Sequence, residues 1–294
     1  MSASNLPPLL FDRRQVRHQR QRAAEHFNEF AILEPQIQKR MRDRLAGISR
    51  TFGDCLELGC AGFSALAEDR RRTVHCDLAA GLLRSRDGLS VVGDEELPPF
   101  GAATFDLVLS SLTLHWVNDL PGALVQIKSI LRPDGLFLGA LLGGDSLHEL
   151  RRALTEAELE LRGGAAARVS PFADIRDLGD LLQRTGFAMP VADLDRITVR
   201  YKDLFELLRD LKGSGNANAL AGRETRPPRR QLFCRASEIY KQRFGGPDGL
   251  VPATFDVVFL TGWAPGPDQP VAKRPGSATH SLAAALPAKP IKED

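Results

Sequence analysis

The sequence has no apolar run approaching the roughly 18 residues needed to cross a bilayer. The longest, around Leu136–Leu142, suits a buried strand. A membrane-spanning helix is therefore excluded. Charge of one sign is missing too: 39 Lys+Arg stand against 37 Asp+Glu, a formal net charge of +2. That balance gives no global reason to expect a nucleic-acid partner. Cysteine is scarce, and Cys55, Cys60, Cys76 and Cys234 form no CxxC pair and no zinc spacing. Three of them lie in or beside strand-like segments, where a thiol behaves as a small apolar group. The N-terminus lacks an apolar signal-peptide core. These absences point to a reducing interior. What remains, 43% hydrophobic and 26% charged residues over 294 positions, is the composition of a globular chain. That length suits one large domain, or a core with an appended cap.

The two ends differ from the middle. Between Asp12 and Ala24 the chain carries Arg13, Arg14, Arg17, Arg20 and Arg22 against a single acid. The pattern runs on helically through Phe27, Phe30 and Ile32 towards Leu45 and Ile48. Residues 1–48 thus read as a basic helical segment, either a solvated domain edge or a contact for an acidic partner or anionic lipid. A cleaved presequence is the third reading. At the other end, six prolines between Pro265 and Pro290 interrupt Ala, Gly, Lys and Ser. Such a segment buries too little apolar area to offset its ordering entropy, so residues 264–294 read as a disordered tail.

The middle, residues 49–263, alternates strand and helix. Asp54–Leu58 is a short apolar run ending in a glycine turn, as in a buried parallel strand. Similar runs recur at Thr73–Cys76, Ser90–Val92, Phe105–Ser110 and Leu136–Leu141. Between the last two, Leu120, Leu124, Ile127 and Leu131 form one helical stripe, and Pro133-Asp-Gly135 makes a turn into the next strand. Asp174–Gly186 reads as a helix, Asp193–Tyr201 as a strand, residues 203–245 as a helical insertion broken near Gly213–Asn218, and Thr254–Trp263 as a last strand. This order argues for an α/β doubly wound sheet with a helical cap insertion. Ligands of such sheets bind beyond the carboxyl ends of the strands, where strand order reverses.

The strand ends carry chemistry. After the first strand comes Glu57-Leu-Gly59-Cys60-Ala61-Gly62, a turn whose glycines let backbone approach a ligand. It does not match GxGxxG. Asp77 ends the second strand, 20 residues beyond Glu57, where a carboxylate can accept both ribose hydroxyls of a nucleoside. Asp94 and Glu95 follow the third strand and can take an adenine amine; Ser110 and Ser111 follow the fourth. Together these are parts for an adenosine-containing ligand without phosphates.

Glu57-x-Gly59, Asp77, Gly93-Asp94, Phe105–Ser110 and Leu131-Arg-Pro-Asp-Gly135 resemble the class I S-adenosylmethionine-dependent methyltransferases. Phe11-Asp-Arg13, Asp94-Glu95-Glu96, the run Ser110–Pro121 and the run Gly143–Arg151 resemble, more narrowly, the mitochondrial complex I assembly factor 5 family and its bacterial relatives. Ser170-Pro-Phe172, Asp177-Leu-Gly179, Phe205-Glu-Leu207 and Gly276-Ser-Ala-Thr279 extend that resemblance over nearly the whole chain. It implies a Rossmann-like fold, S-adenosyl-L-methionine as cofactor and a link to a respiratory NADH dehydrogenase subunit. The chemistry it implies is methyl transfer or arginine hydroxylation, since fold does not settle function. A more distant resemblance, through Leu114-His-Trp116, is to the malonyl-carrier O-methyltransferases. One departure stands out. The family's glycine loop has the form Asp-Leu-Gly-Cys-Gly-x-Gly, whereas this chain has Ala61 and a shorter loop, which alters the cofactor's seat. A non-enzymatic assembly chaperone is the reading from another class.

Individual side chains carry rival readings. His115 lies where a methyl acceptor would sit, so it is a candidate general base, or it only walls the pocket beside Trp116. Arg151 can clamp a substrate carboxylate or stand solvated on its helix. Asp145 and Glu149 suit a cationic substrate, though surface roles fit them too. His75-Cys-Asp77 spells half of a two-histidine, one-carboxylate iron site. Neither His115 nor His148 is placed to complete it, so no metal is expected. The family-like segment begins at Phe11, too close to the start for an ordinary presequence. The expected place is therefore the bacterial cytoplasm, with the mitochondrial matrix as alternative.

Overall fold

The structure, a computed structural model, describes residues 9–59, 63–66, 72–84, 86, 88–267, 269 and 276–277. Among these, seven strands form one sheet: β1 (Asp54–Leu58), β2 (Arg72–Asp77), β3 (Leu89–Val92), β4 (Phe105–Ser111), β5 (Leu131–Gly143), β6 (Ala188–Tyr201) and β7 (Val251–Trp263). Their order is β3-β2-β1-β4-β5-β7-β6. Strands β1 to β5 run parallel, and β7 enters antiparallel between β5 and β6. Strand order reverses between β1 and β4, which fixes where a ligand crevice opens. This is the Rossmann-like doubly wound sheet that the alternation of elements implies.

Nine helices complete the described fold: α1 (Arg13–Ala23), α2 (Phe27–Phe30), α3 (Glu34–Ala46), α4 (Ala80–Leu83), α5 (Leu120–Ile130), α6 (His148–Arg162), α7 (Ile175–Arg184), α8 (Leu204–Gly213) and α9 (Arg230–Phe244). The sheet's pleat divides the core in two. Along β5, Leu136, Leu138, Ala140 and Leu142 face one side, with α3, α6, α8 and α9. Phe137 and Leu141 face the other, with α5 and α7. Both sides of this strand are covered, which is why its sequence is a continuous apolar run rather than an alternation. The insertion helices α8 and α9 share the first of these cores and form no core of their own.

Local chemistry sets the helix starts. Asp12, Asp119, Asp174 and Asp203 cap α1, α5, α7 and α8 through side-chain bonds to free N–H groups of the first turn. Two expectations need correction. The basic segment is not one continuing helix: it breaks after Ala23 and again after Phe30, and α3 restarts with Pro35 in its first turn. Proline has no N–H to extend a preceding helix but suits the first turn of a new one. The Pro133–Gly135 turn does not precede a strand but lies within β5. The pairing with β4 jumps there from Phe105↔Leu131 to Leu107↔Leu136, and Asp134 adopts φ +61°. The extra residues form a bulge. Ala264 is buried and exchanges backbone bonds with Asp134 and Gly135. Most of the expected tail, and Cys60, Ala61 and Gly62 of the glycine loop, lie outside the described residues.

Near the carboxyl end of β5, β7 contributes Asp256, which is 2% exposed. It accepts bonds from Arg196 Nε at 2.6 Å and Nη2 at 2.8 Å across the β6–β7 ladder, and from the Asp145 N–H at 3.1 Å. The Arg196 guanidinium holds this carboxyl below the usual carboxylate range. A folded pKa below the unfolded one contributes stability above about pH 3.9 that is lost as pH falls through the folded value. Asp256→Asn should therefore cost about 1–2 kcal/mol near neutrality, allowing for the half-exposed Arg196. The gap from wild type should shrink below about pH 4. Urea midpoints measured across that range check it; a gap constant with pH would contradict it.

Candidate active site

The carboxyl ends of β1, β2, β3 and β4 bring Gly59, Asp77, Asp94, Glu95 and Ser110 to one edge of the sheet. Gly59 lies at φ +76°, and a Cβ there would sit 2.2 Å from the Thr113 side chain. Thr113 in turn stands 3.2 Å from Ser110 Oγ. The turn after β1 and the turn after β4 thus interlock, and only glycine permits it. Asp77 is fully buried and accepts the Ala79 N–H at 2.8 Å. Glu57 points elsewhere: it accepts from Ser64 Oγ and lies 3.1 Å from His75 Nδ1, its cross-strand partner.

Helix α1 is solvated on one face only. Arg13 and Arg20, seven residues apart, share one face of the helix and reach into the strand-end carboxylates. Arg20 Nη2 is 2.5 Å from Asp77 Oδ2, and its Nε is 3.3 Å from Oδ1. Arg13 Nη2 is 2.5 Å from Asp94 Oδ1 and pairs with Glu95, while its Nη1 donates to the Trp116 carbonyl at 3.1 Å. Charged partners at this distance explain why two arginines can be withdrawn from water. Burial pushes the Glu95 carboxyl up; Arg13 opposes that shift and Asp77 adds to it. Just ahead of α1, Phe11 packs edge-on to Trp116 at 5.4 Å, and its N–H and carbonyl both bond the Asn118 side chain. Two sequence runs more than 100 residues apart therefore meet over the site.

Beyond β4, a 3-10 turn over Leu114–Trp116 separates this edge from a cavity of about 330 Å³. Leu112, His115 and Trp116 form the shared wall, with Phe172, Leu142 and Leu147 beside them. Leu112 and Leu147 both take left-handed backbone, φ +52° and +55°. Each holds that conformation through an N–H bond of 2.7 Å, to Ala140 and Thr254 respectively. Non-glycine residues in this region cost about 1–3 kcal/mol each and gather at ligand sites. His115 is buried. Desolvation, assisted by the Arg20 charge, pushes its imidazole down to about 3. The ring is neutral at physiological pH, with Nδ1 facing the Leu142 N–H at 3.5 Å. The proton consequently belongs on Nε2, which suits a donor better than a base.

The three expected substrate residues are not brought to this wall. Asp145 has an exposed carboxyl 3.6 Å from Arg196. Glu149 is buried and accepts from the Thr254 N–H and hydroxyl. Arg151 donates to the carbonyls of Ser146 and Ser170. Three residues that the sequence did not assign to the site do reach it: Arg13, Arg20 and Glu34. The last is 6% exposed, opens α3 and lines the cavity. The seven-residue spacing puts the two arginines on one helix face without saying which way that face turns; for Glu34 there was no signal.

The residues present fit the cofactor. Ser111 Oγ and His115 Nε2 are buried without a hydrogen-bond partner among the described residues. Buried polar atoms in that state call for a ligand or water. Asp77 has roughly four lone-pair sites, and Arg20 and Ala79 use three of them. One ribose hydroxyl can bond it with Arg20 in place, and two once Arg20 withdraws. Gly59→Ala tests the interlock that shapes this edge. The left-handed backbone alone should cost about 1–3 kcal/mol, and the Thr113 clash more. Adding Thr113→Ala should recover only part of the loss, because the Thr113 Cβ itself would lie 2.7 Å away, as urea denaturation of the single and double variants would show; full recovery would mean that backbone strain is not a factor.

A family model described as a methyltransferase domain matches residues 16–190. The chain is 41% identical over 286 residues to the mitochondrial arginine-hydroxylase NDUFAF5 of Danio rerio, covering 93% of this chain and 88% of that protein. It is 32% identical to the malonyl-[acyl-carrier protein] O-methyltransferase of Gallionella capsiferriformans, covering 88% and 93%. Among solved structures, the YcgJ protein of Bacillus subtilis shares the fold at a TM-score of 0.51 and 13% identity, covering 77% of this chain and 98% of that one. With S-adenosylmethionine as its cofactor, the chain belongs to the methyltransferase domain family, in the group that holds the NDUFAF5 proteins.

Proposed function

We propose that this chain transfers the methyl group of S-adenosylmethionine to a side chain of a protein, a subunit of the respiratory NADH dehydrogenase, that enters the cavity beyond β4. The observation that carries this reading is the shared wall. Leu112, His115 and Trp116 follow directly on the strand at the switch point and also line the cavity, so an acceptor in the cavity lies next to a ligand on the strand ends. The cofactor supplies an electrophilic sulfonium methyl. Asp77 binds ribose hydroxyls, Asp94 and Glu95 face the adenine amine, and the turn at Gly59 lets backbone approach the methionine portion. The apolar walls exclude water and hold the acceptor in line, which is mainly a matter of positioning. The acceptor atom would bond the methyl carbon as its bond to sulfur breaks, S-adenosylhomocysteine would leave, and the acceptor's displaced proton would pass to solvent. His115, neutral and carrying its proton on Nε2, orients the acceptor and does not take that proton.

A second reading has its own support. The relative at 41% identity is named for arginine hydroxylation, a reaction that would take an arginine side chain into the same cavity and would need molecular oxygen or another oxidant besides the cofactor. Two measurements test the proposal. Calorimetric titration with S-adenosylmethionine should show binding that Asp77→Asn weakens about ten- to hundredfold, the worth of a hydrogen bond to a charged group. Absence of binding to the wild-type chain would favour the chaperone reading. Mass spectrometry of NADH dehydrogenase subunits from a strain lacking this chain should then show one subunit lighter by a methylene. A subunit lighter by an oxygen would replace methyl transfer with hydroxylation. Unaltered subunits beside an unmethylated malonyl carrier would move the substrate to that carrier.

A further inference from the structure

Glu34 stands on the wall of an apolar cavity, 94% withdrawn from solvent by its 6% exposure. Among the described residues it forms no ion pair. The cation whose field reaches it, Arg20, is bound to Asp77. The wall also carries Asp210, Glu224, Arg168, Arg223 and Lys212; Arg168 and Arg223 are bound to Glu158 and Asp12. Glu224 is held by Arg162 and Arg168, and Asp210 is 3.9 Å from Arg209. An ionised carboxylate in such a place costs several kcal/mol unless a cation joins it. Burial accordingly pushes Glu34 up to about 7, against backbone N–H bonds and the Arg20 charge that pull it down. Aromatic rings complete the surroundings: Phe30, Trp116, Phe172 and Phe233 line the same space, and ring faces favour cations that shed their water. A buried carboxylate without an ion pair, set in a mainly apolar cavity with aromatic walls, describes a receptor for a long side chain with a cationic head.

We propose that Glu34 is the specificity-determining residue of the cavity, receiving the guanidinium of an arginine side chain. The assignment rests on the cavity being the acceptor site. It is independent of whether the acceptor gains a methyl group or an oxygen. Entry of a cation favours the ionised carboxylate, so binding must drive off whatever proton Glu34 carries. With the carboxyl titrating near 7, about half a proton should leave for each arginine bound at about pH 7.

The test uses the full chain, Nα-acetyl-arginine methylamide as probe and the citrulline counterpart as its neutral isostere. Calorimetry is run in two buffers of different ionisation enthalpy, with S-adenosylhomocysteine present. Wild type should bind the arginine probe, prefer it to citrulline by about tenfold or more, and release about half a proton. Glu34→Gln should lose the preference and the proton release, whereas Glu34→Asp should keep part of both. Thermal midpoints report folding, and Glu34→Gln should melt no lower than wild type at about pH 8, because it removes a buried charge. Equal binding of arginine and citrulline, no arginine binding at all, or proton release unchanged in Glu34→Gln would each overturn the assignment. S-adenosylhomocysteine is titrated separately into every variant. Failure of that titration strikes the function proposed above, while failure of the arginine arm with normal cofactor binding strikes Glu34 alone.

Discussion

The contact between Arg20 and Asp77 is the constraint on which the site depends. Asp77 ends β2 in the fully buried interior, and a carboxylate there requires a counter-charge. Arg20 supplies it from an element outside the sheet. The same guanidinium reaches three further groups through its field: it lowers His115, restrains Glu34 and offsets part of the upward push on Glu95. One buried cation therefore bears on both compartments, the strand-end crevice and the cavity, although burial is the larger cause of each shift. Buried ion pairs are weak contributors to net stability, because desolvation consumes most of the attraction. Their value here lies in registration. Arg13 and Arg20 can satisfy their partners together only if α1 lies in one position across the strand ends.

That registration extends from charge to packing. Phe11 against Trp116, the paired bonds between Phe11 and Asn118, and Arg13 on the Trp116 carbonyl pin the start of the chain to the turn after β4. Thr113, in that same turn, occupies the space that a side chain at Gly59 would need. The N-terminal segment, the β1 turn and the cavity wall are thus mechanically one unit. Leu112 and Leu147, held in left-handed backbone on the cavity side, can remain strained because neighbouring backbone bonds fix them.

Much of this was legible in the sequence. The continuous apolar run at Leu136–Leu142 announced a strand buried on both faces, and the stripe from Leu120 to Ile127 announced its crossover helix. Asp77 was identifiable because a strand end and a spacing from Glu57 locate it without knowledge of tertiary contacts. The partners of Asp77 were not identifiable, since which of five arginines turns inward depends on the helix's rotation against a sheet 57 residues away. Pro35 did signal a helix start, but apolar periodicity ran across it and masked the break. Glu149 and Arg151 illustrate the opposite failure. Their residue types suit substrate binding, yet their bonds go to Thr254 and to backbone carbonyls, groups that no local pattern reveals. Glu34 was silent because burial of one carboxyl among distant aromatic rings leaves no mark in its neighbours.

The paired arginines also change what the helix shows to the outside world. Read as a string, α1 offers five positive charges. Folded, it turns two of them inward, and Arg14, Arg17 and Arg22 are the ones left facing solvent. An acidic surface drawn to this helix would meet the back of a cover whose inner face is already neutralised. Attraction and chemistry are then physically partitioned: a binding partner can be held by the outer arginines without competing for the carboxylates beneath, and salt that screens the exterior leaves the buried pairs largely untouched.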